Sequence, residues 1–441
     1  MTVDLVIKNG KLVSPRGIVE GGIAINDGII VSIAKLPNLP RADKVIDVKG
    51  NVILPGILDG HSHTDMPPET PFTGTKAAAY GGITTILDMP GGPAGNAYTP
   101  SKFEEKRKLF EKKSFIDFAL HGGCPSGYTE GNLEKIWKLG ATGIKYFMTR
   151  VGDGDILQSF KELFKVNGLA LIHAENGDMI KHNIEKLRAQ NRKDPKAHLE
   201  SRPPITEIEA GERIISFLKE TNIRGLIAHT SLPETVWNVK KNFNKTDIYI
   251  ETCPQYLFLT TEDVIEKGPW ATFAPPARNK ERVVEMWNLL NKGWVDTIAT
   301  DHVPESKEVK ELGVDDIFDA PNGIPGIETM LPVMLTAVNE GKTTLQQLVA
   351  LMSENPAKIY GLFPRKGSFN LGSDGDLVVI DMKKTKQIKN EEIVSACGWS
   401  PFEGFKIKGV PVLSMNRGNI ILEDGEVVGK PGGAVFIPRM N

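Results

Sequence analysis

Short runs of consecutive apolar residues recur through the middle of the chain, separated by longer mixed stretches. Eight can be counted, at 52–58, 84–89, 115–121, 143–148, 169–173, 224–229, 248–252 and 296–300. Their length and lack of alternation fit buried strands. The intervening stretches include helical patterns. Thr206-Glu207-Ile208-Glu209 resembles a capping box, and Ile208, Ile214, Ile215 and Leu218 follow at roughly helical spacing. Strands alternating with helices predict a parallel sheet. Eight of them predict an α/β chain closed into a (β/α)8 barrel rather than an open doubly wound sheet. No GxGxxG follows a strand. Gly341-Lys342-Thr343 ends like a P-loop, but Thr336 stands where that loop needs glycine.

The two ends read differently. Leu5-Val6-Ile7 precedes Asn9-Gly10, and Asn26-Asp27-Gly28 separates Gly22-Ile23-Ala24-Ile25 from Ile29-Ile30-Val31. Near the other end, Asp376–Asp381 is followed by Asn419–Leu422, Asp424-Gly425 and Val427-Val428. Asn-Gly and Asp-Gly between apolar runs are hairpin signals. The expected organisation is a small β-sandwich domain from residues 1–50 and 366–441 around a barrel domain at 51–365.

Composition narrows the function classes. A chain of 441 residues exceeds one ordinary domain, and 40% apolar residues suffice for a large core. A net charge of −2 gives no electrostatic case for nucleic acid or an anionic membrane. Cys124, Cys253 and Cys397 form no CxxC, which argues against a disulfide framework or a cysteine-zinc site and fits a reducing cytoplasm. No signal peptide is visible, and no apolar run approaches the roughly 20 residues of a membrane helix. Asn244-Lys245-Thr246 matches a glycosylation sequon, which carries little weight without secretion.

Candidate chemistry lies where the apolar runs end. His61 and His63 follow the first run; on an extended segment their side chains point the same way and can reach one metal. His173, His229 and Asp301 end three other runs. Taken singly, each has an ordinary reading: a polar turn, a hydrogen-bonded core histidine, a helix N-cap. Together they sit at the carboxyl ends of predicted strands, where a (β/α)8 barrel builds its active site. Imidazole plus carboxylate suits Zn²⁺ and similar divalent ions. Lys145, within Gly143-Ile144-Lys145-Tyr146-Phe147-Met148, either snorkels to water or is buried as a neutral amine that reacts with CO₂. The resulting carbamate is anionic and can bridge two cations. His121 ends the third run and reads as structural; His302 should point away from Asp301 by alternation.

Several motifs in this order resemble the cyclic-amide branch of the amidohydrolase superfamily: hydantoinases and dihydropyrimidinases, allantoinases and dihydroorotases. They are Asp59-Gly60-His61-Ser62-His63, Gly81-Gly82-Ile83-Thr84-Thr85, the Lys145 segment, Ile172-His173-Ala174-Glu175, Glu251-Thr252-Cys253-Pro254-Gln255-Tyr256-Leu257, Ala274-Pro275-Pro276-Ala277-Arg278, Thr300-Asp301-His302 and Asn355-Pro356-Ala357-Lys358. The resemblance implies two divalent ions, usually zinc. His61, His63 and Asp301 would bind one, His173 and His229 the other, and N6-carboxylated Lys145 would bridge them. It also implies that a metal-bridging hydroxide opens the ring of a small cyclic amide or ureide, with Asp301 as general base and then acid. Backbone groups near Ala274 and Asn322 would hold the ring amide. Homodimers or homotetramers are the family habit.

The substrate signals conflict. Met66-Pro67 and Pro364-Arg365-Lys366-Gly367-Ser368 resemble hydantoinases, whereas Gly323–Thr329 and Ser400–Gly404 lean towards dihydroorotases and allantoinases. Dihydroorotases carry an arginine soon after HxH; here Thr64-Asp65 follows. Hydantoinases place an oxyanion-stabilising tyrosine five residues after the lysine; here Arg150 stands there. Arg150 is a candidate for oxyanion stabilisation, for pairing with a substrate carboxylate, or for a solvated loop position. The leading expectation is a hydantoinase- or dihydropyrimidinase-like hydrolase. Its alternatives are allantoinase- or dihydroorotase-like activity and a non-catalytic scaffold homologue.

Overall fold

The structure is a computed structural model that describes residues 2–93, 96–242 and 247–440; the Asn244 sequon lies outside them. Eight parallel strands form the barrel: Ile57–Ser62, Ile83–Asp88, the pair Asp117–Leu120 and Gly122–Gly123, Ile144–Phe147, Leu169–His173, Arg224–Ile227, Ile248–Thr252 and Thr297–Ile298. The third is interrupted at His121, whose N–H still donates to the Asp88 carbonyl at 3.0 Å. Its ring bonds the Gly60 carbonyl and Thr142 at 3.1 Å each, so His121 ties the first strand to the segment leading into the fourth. Burial keeps this imidazole neutral, pushing its pKa down to about 3.

The last strand is short for a physical reason. Asp59 on the first strand accepts from the Thr300 N–H at 3.0 Å and from its hydroxyl at 2.6 Å. A carboxylate thus replaces ladder bonds, and the seam closes one step later through the parallel bridge of Ser62 with His302 and the His63 N–H to the His302 carbonyl at 3.0 Å.

The run at 52–58 serves two sheets. Val52–Pro55 pairs with Val3–Ser14 and with Leu377–Ile380, and only from Ile57 does the chain enter the barrel. The break is at Gly56, where a Cβ would collide with Thr84 and Asp376. The terminal sheet has nine strands and draws on both ends of the chain, in the order Glu426–Val427, Asn419–Glu423, Lys406–Asn416, Leu377–Gln387, Val52–Pro55, Val3–Ser14, Gly17–Asn26 and Ile29–Ala34, with Ala42–Asp47 also on Val3–Ser14. The segment at 435–437 returns to the barrel instead. Phe436 bridges Phe118, and the Ile437 N–H donates to the Phe118 carbonyl at 2.8 Å.

Two of the three expected turn dipeptides behave as read. Asp27-Gly28 and Asp424-Gly425 have positive φ at both positions, which two-residue hairpins with right-handed strand twist require. Asn9-Gly10 instead lies inside Val3–Ser14 at a register shift, with Asn9 at φ 58°. The same tolerance of positive φ there makes a bulge. The capping box at Thr206 is also corrected. The helix Pro204–Thr221 starts two residues earlier with Pro at its first position, and the Thr206 hydroxyl donates back to the Pro203 carbonyl. Glu207 is buried and accepts from the Ser231 and Leu232 N–H groups and from Arg278.

Lys366, fully buried at the junction of sheet and barrel, reaches Asp117 at 2.6 Å, Asp376 at 2.7 Å and Asp374 at 3.0 Å. Arg417 adds a second cation at 3.0 Å from Asp117. Asp117, Asp374 and Asp376 are spaced to hold a metal ion, but the lysine ammonium occupies that position. Among the described residues no helix is long and apolar enough to cross a membrane.

Candidate active site

The strand ends bring the predicted side chains together. His61 Nε2 lies 3.2 Å from Asp301 Oδ1 and 3.3 Å from Lys145 Nζ, and His63 Nε2 lies 3.7 Å from the same Asp301 oxygen. His173 Nδ1 faces His229 Nε2 at 3.0 Å, and the His61 and His229 rings are 5.3 Å apart. His61, His63 and Asp301 form a group spaced to hold a metal ion, and His173 and His229 stand beside it. Two of these residues, His229 at φ 37° and Asp301 at φ 46°, adopt backbone conformations that cost on the order of 1–3 kcal/mol in a non-glycine residue. Such strain is typical of a functional position held by its surroundings.

Electrostatics prepare these groups to act as ligands. Burial pushes the pKa of His61 and His229 well below the ordinary imidazole value, and the neighbouring Lys145 adds to the effect. Both rings are therefore neutral and offer lone pairs. Lys145 does not snorkel: it is 1% exposed, and burial pushes its pKa down to about 8. Burial opposes ionisation of Asp301, but His61, His63 and Lys145 outweigh it and hold the carboxylate well below its ordinary range.

Two buried carboxylates behind the histidines went unassigned in the sequence analysis. Glu251 accepts from His61 Nδ1 at 2.7 Å and from the His229 N–H at 3.2 Å, so one carboxylate sets the His61 tautomer and pins the strained His229 backbone. Glu175 takes His173 Nε2 at 2.8 Å and is itself paired with Arg202 at 2.6 Å. Carboxylate–histidine pairs of this kind orient a metal ligand and raise its basicity. The available signal was an ionisable residue on, or just after, an otherwise apolar strand. Glu251→Gln is expected to lower metal affinity about 10–100-fold. Competition with a fluorescent zinc chelator measures this without any substrate.

A cavity of about 1130 Å³ opens over the histidines. Its wall includes Met66 and Pro67, Gly91, Phe147, Arg150, Ala274 and Asn322, so all the predicted substrate contacts share one space with the metal-ligand candidates. Buried lysines outside its loops fix them. Lys106 Nζ bonds the Met89 carbonyl at 2.7 Å and the Gly91 carbonyl, and pairs with Asp88 at 2.7 Å. Lys310 Nζ bonds the carbonyls of Thr272, Pro321 and Gly323 at 3.1, 2.9 and 3.0 Å, clamping the backbone on either side of Asn322 to the segment leading to Ala274. His302 turns away from the site. It is fully buried, and its Nδ1 accepts from the Gly326 N–H at 3.2 Å.

Comparison with known proteins agrees with this geometry. An L-hydantoinase of Paenarthrobacter aurescens is 36% identical over 99% of this chain and 98% of its own length. A dihydroorotase of Methanosphaera stadtmanae is 34% identical over 96% of this chain and 97% of its own. A solved structure of an L-hydantoinase (dihydropyrimidinase) from Arthrobacter aurescens superposes with a TM-score of 0.95 at 35% identity, covering 99% of this chain and all of that one. The sequence profile of the amidohydrolase family matches residues 52–421, and the chain belongs to that family.

Proposed function

We propose that this protein opens the C–N bond of a small cyclic amide or ureide at a two-metal centre, in the manner of a hydantoinase or dihydropyrimidinase. The observation that carries the reading is the convergence of His61, His63, Lys145, His173, His229 and Asp301 at the strand ends, in a family whose relatives here are named hydantoinases and dihydroorotases. The donor set fits two divalent ions: four imidazoles, of which His61 and His229 are held neutral by burial, an ionised carboxylate and an amine disposed to carbamylation. His61, His63 and Asp301 would hold one ion, His173 and His229 the other, with Lys145 as its carbamate between them. Zinc suits these ligands. When bound, the pair of ions supplies Lewis acidity and lowers the pKa of water.

The remaining steps belong to the chain. Asp301, whose carboxyl is held well below its ordinary range, accepts the proton of the attacking water and returns it to the leaving nitrogen. The main chain at Ala274 and Asn322, clamped by Lys310, holds the ring amide. Glu251 and Glu175 keep the histidines facing inward. A dihydroorotase reading is weaker because the position after HxH offers no cation. Thr64 and Asp65 are buried there, and Thr64 bonds Asp88 through its N–H and hydroxyl at 2.7 Å each.

The test is ring opening by protein reconstituted with zinc and bicarbonate, on hydantoin, dihydrouracil, allantoin, dihydroorotate and a cyclic imide. The five-membered ureide or the dihydropyrimidine should be hydrolysed, with two metal ions per chain. Protein that binds no metal and opens none of the rings would instead be a scaffold.

A further inference from the structure

Arg150 lines the cavity, and the ring-opening reading assigns it no role. Its guanidinium lies 5.5 Å from the centroid of the Phe147 ring, a cation–π position. Tyr98, on the same cavity wall, is near enough to feel its charge. Among the described residues no carboxylate pairs with Arg150, and the residue is exposed into the cavity. The other cavity arginines differ: Arg202 is paired with Glu175 at 2.6 Å and Arg188 with Asp319 at 2.6 Å. Lys181 also lines the cavity, from the helix Gly177–Ala189, but an ammonium lacks the paired donors of a guanidinium.

The placement of Arg150 fixes its reach. Lys145 Nζ lies 5.1 Å from the same Phe147 centroid, so the proposed bridging lysine and the guanidinium both border one aromatic side chain. A five- or six-membered ring seated over the histidines would share the cavity with Arg150, which a short substituent on the ring could meet. A cavity of about 1130 Å³ has room for that substituent, whereas an unsubstituted ring leaves most of it empty.

We propose that the substrate carries a carboxylate on a short arm from its ring carbon and that Arg150 binds it, so that Arg150 is a specificity-determining residue. The inference rests on the ring-opening reading above. A guanidinium presents two parallel N–H donors to a carboxylate, which a tyrosine hydroxyl or lysine ammonium does not match. Hydrolysis of such a ring yields an N-carbamoyl dicarboxylate, whose second carboxylate stays on Arg150 while the new one forms at the reacting carbon.

The test compares 5-carboxymethylhydantoin with its amide, 5-carbamoylmethylhydantoin, on the zinc-loaded enzyme. Wild type should favour the acid by at least about tenfold in kcat/KM, the scale of one charge-assisted hydrogen-bonded pair. In Arg150→Gln that preference should fall by tenfold or more, chiefly through KM. Arg150→Lys should recover part of it, and Arg150→Glu should turn it towards a 5-aminoalkyl hydantoin. Equal losses on acid and amide would assign Arg150 to the oxyanion and overturn the proposal, as would no preference in wild type. Calorimetry with N-carbamoylaspartate against N-carbamoylasparagine reads the same selectivity without turnover. Selective binding of the dicarboxylate with no ring opened would sink the proposed reaction but keep the anion site; no selectivity in either assay rejects the anion site.

Discussion

Lys145→Ala protein should bind at most one divalent ion per chain and turn over its substrate at least about a thousandfold more slowly, the equivalent of roughly 4 kcal/mol in the barrier. The reason lies in the position of the amine. Lys145 Nζ is 3.3 Å from His61 Nε2 and within Coulombic reach of His229, so its charge acts on a histidine of each group. Without an anion there, two divalent ions would face each other unscreened. Metal analysis after gel filtration reads the stoichiometry. A short carboxylate such as acetate, diffusing into the space left by the side chain, should restore part of both metal content and activity. Full metal content and activity in Lys145→Ala with no added carboxylate would remove the bridging role. A pH dependence follows in wild type. CO₂ reacts with the free amine, and a group pushed down to about 8 has about a tenth of its population unprotonated at pH 7. At fixed dissolved CO₂, activation of metal-free protein should quicken as pH rises from 6 towards 8 and level off above it.

The largest expected loss of stability comes from Lys366→Met. Lys366 is the ammonium shared by Asp117, Asp374 and Asp376, and its side chain is fully buried. Burial alone would lower its pKa, but these carboxylates more than reverse that and hold it charged. Methionine fills similar volume yet, among the described residues, leaves the three carboxylates paired with two cations, Arg417 on Asp117 and Arg365 on Asp374. Breaking a buried ion cluster from one side costs about 3–5 kcal/mol. Chemical denaturation should show a lower midpoint with little change in slope. Because Asp117 anchors the barrel's third strand and Asp376 precedes a sheet strand, the loss should appear as destabilisation of the whole chain rather than as reduced metal affinity.

The residues that carry chemistry were legible because they sit at the boundary between apolar runs and polar loops, where strand ends meet solvent. The barrel was legible for the same reason: eight buried strands leave eight short, largely apolar runs. What the sequence concealed was long-range partnership. Glu251 lies 190 residues from His61, and Lys310 fixes the backbone around Asn322 from outside that loop. No local pattern encodes either pairing. The boundary at Gly56 was concealed differently. Val52–Pro55 and Ile57–Leu58 are equally apolar, and only the crowding of Gly56 against Thr84 and Asp376 marks where one sheet hands over to the other. Asn9-Gly10 shows that a dipeptide specifies backbone dihedrals rather than topology: in this register the same angles bend a strand instead of reversing it.

The double pairing of Val52–Pro55 bears on how the chain is made. One side of that strand can join Val3–Ser14 soon after synthesis, while its partner on the other side, Leu377–Ile380, follows the entire barrel. At roughly 5–20 residues per second the ribosome takes on the order of tens of seconds to deliver it. Through that interval the nascent chain carries an apolar strand with an open row of N–H and C=O groups, the feature that invites pairing with another chain. Slower translation lengthens this exposure, and chaperones that shield strand edges shorten its effect, so recovery of folded protein on expression should be governed by the closing of this sheet.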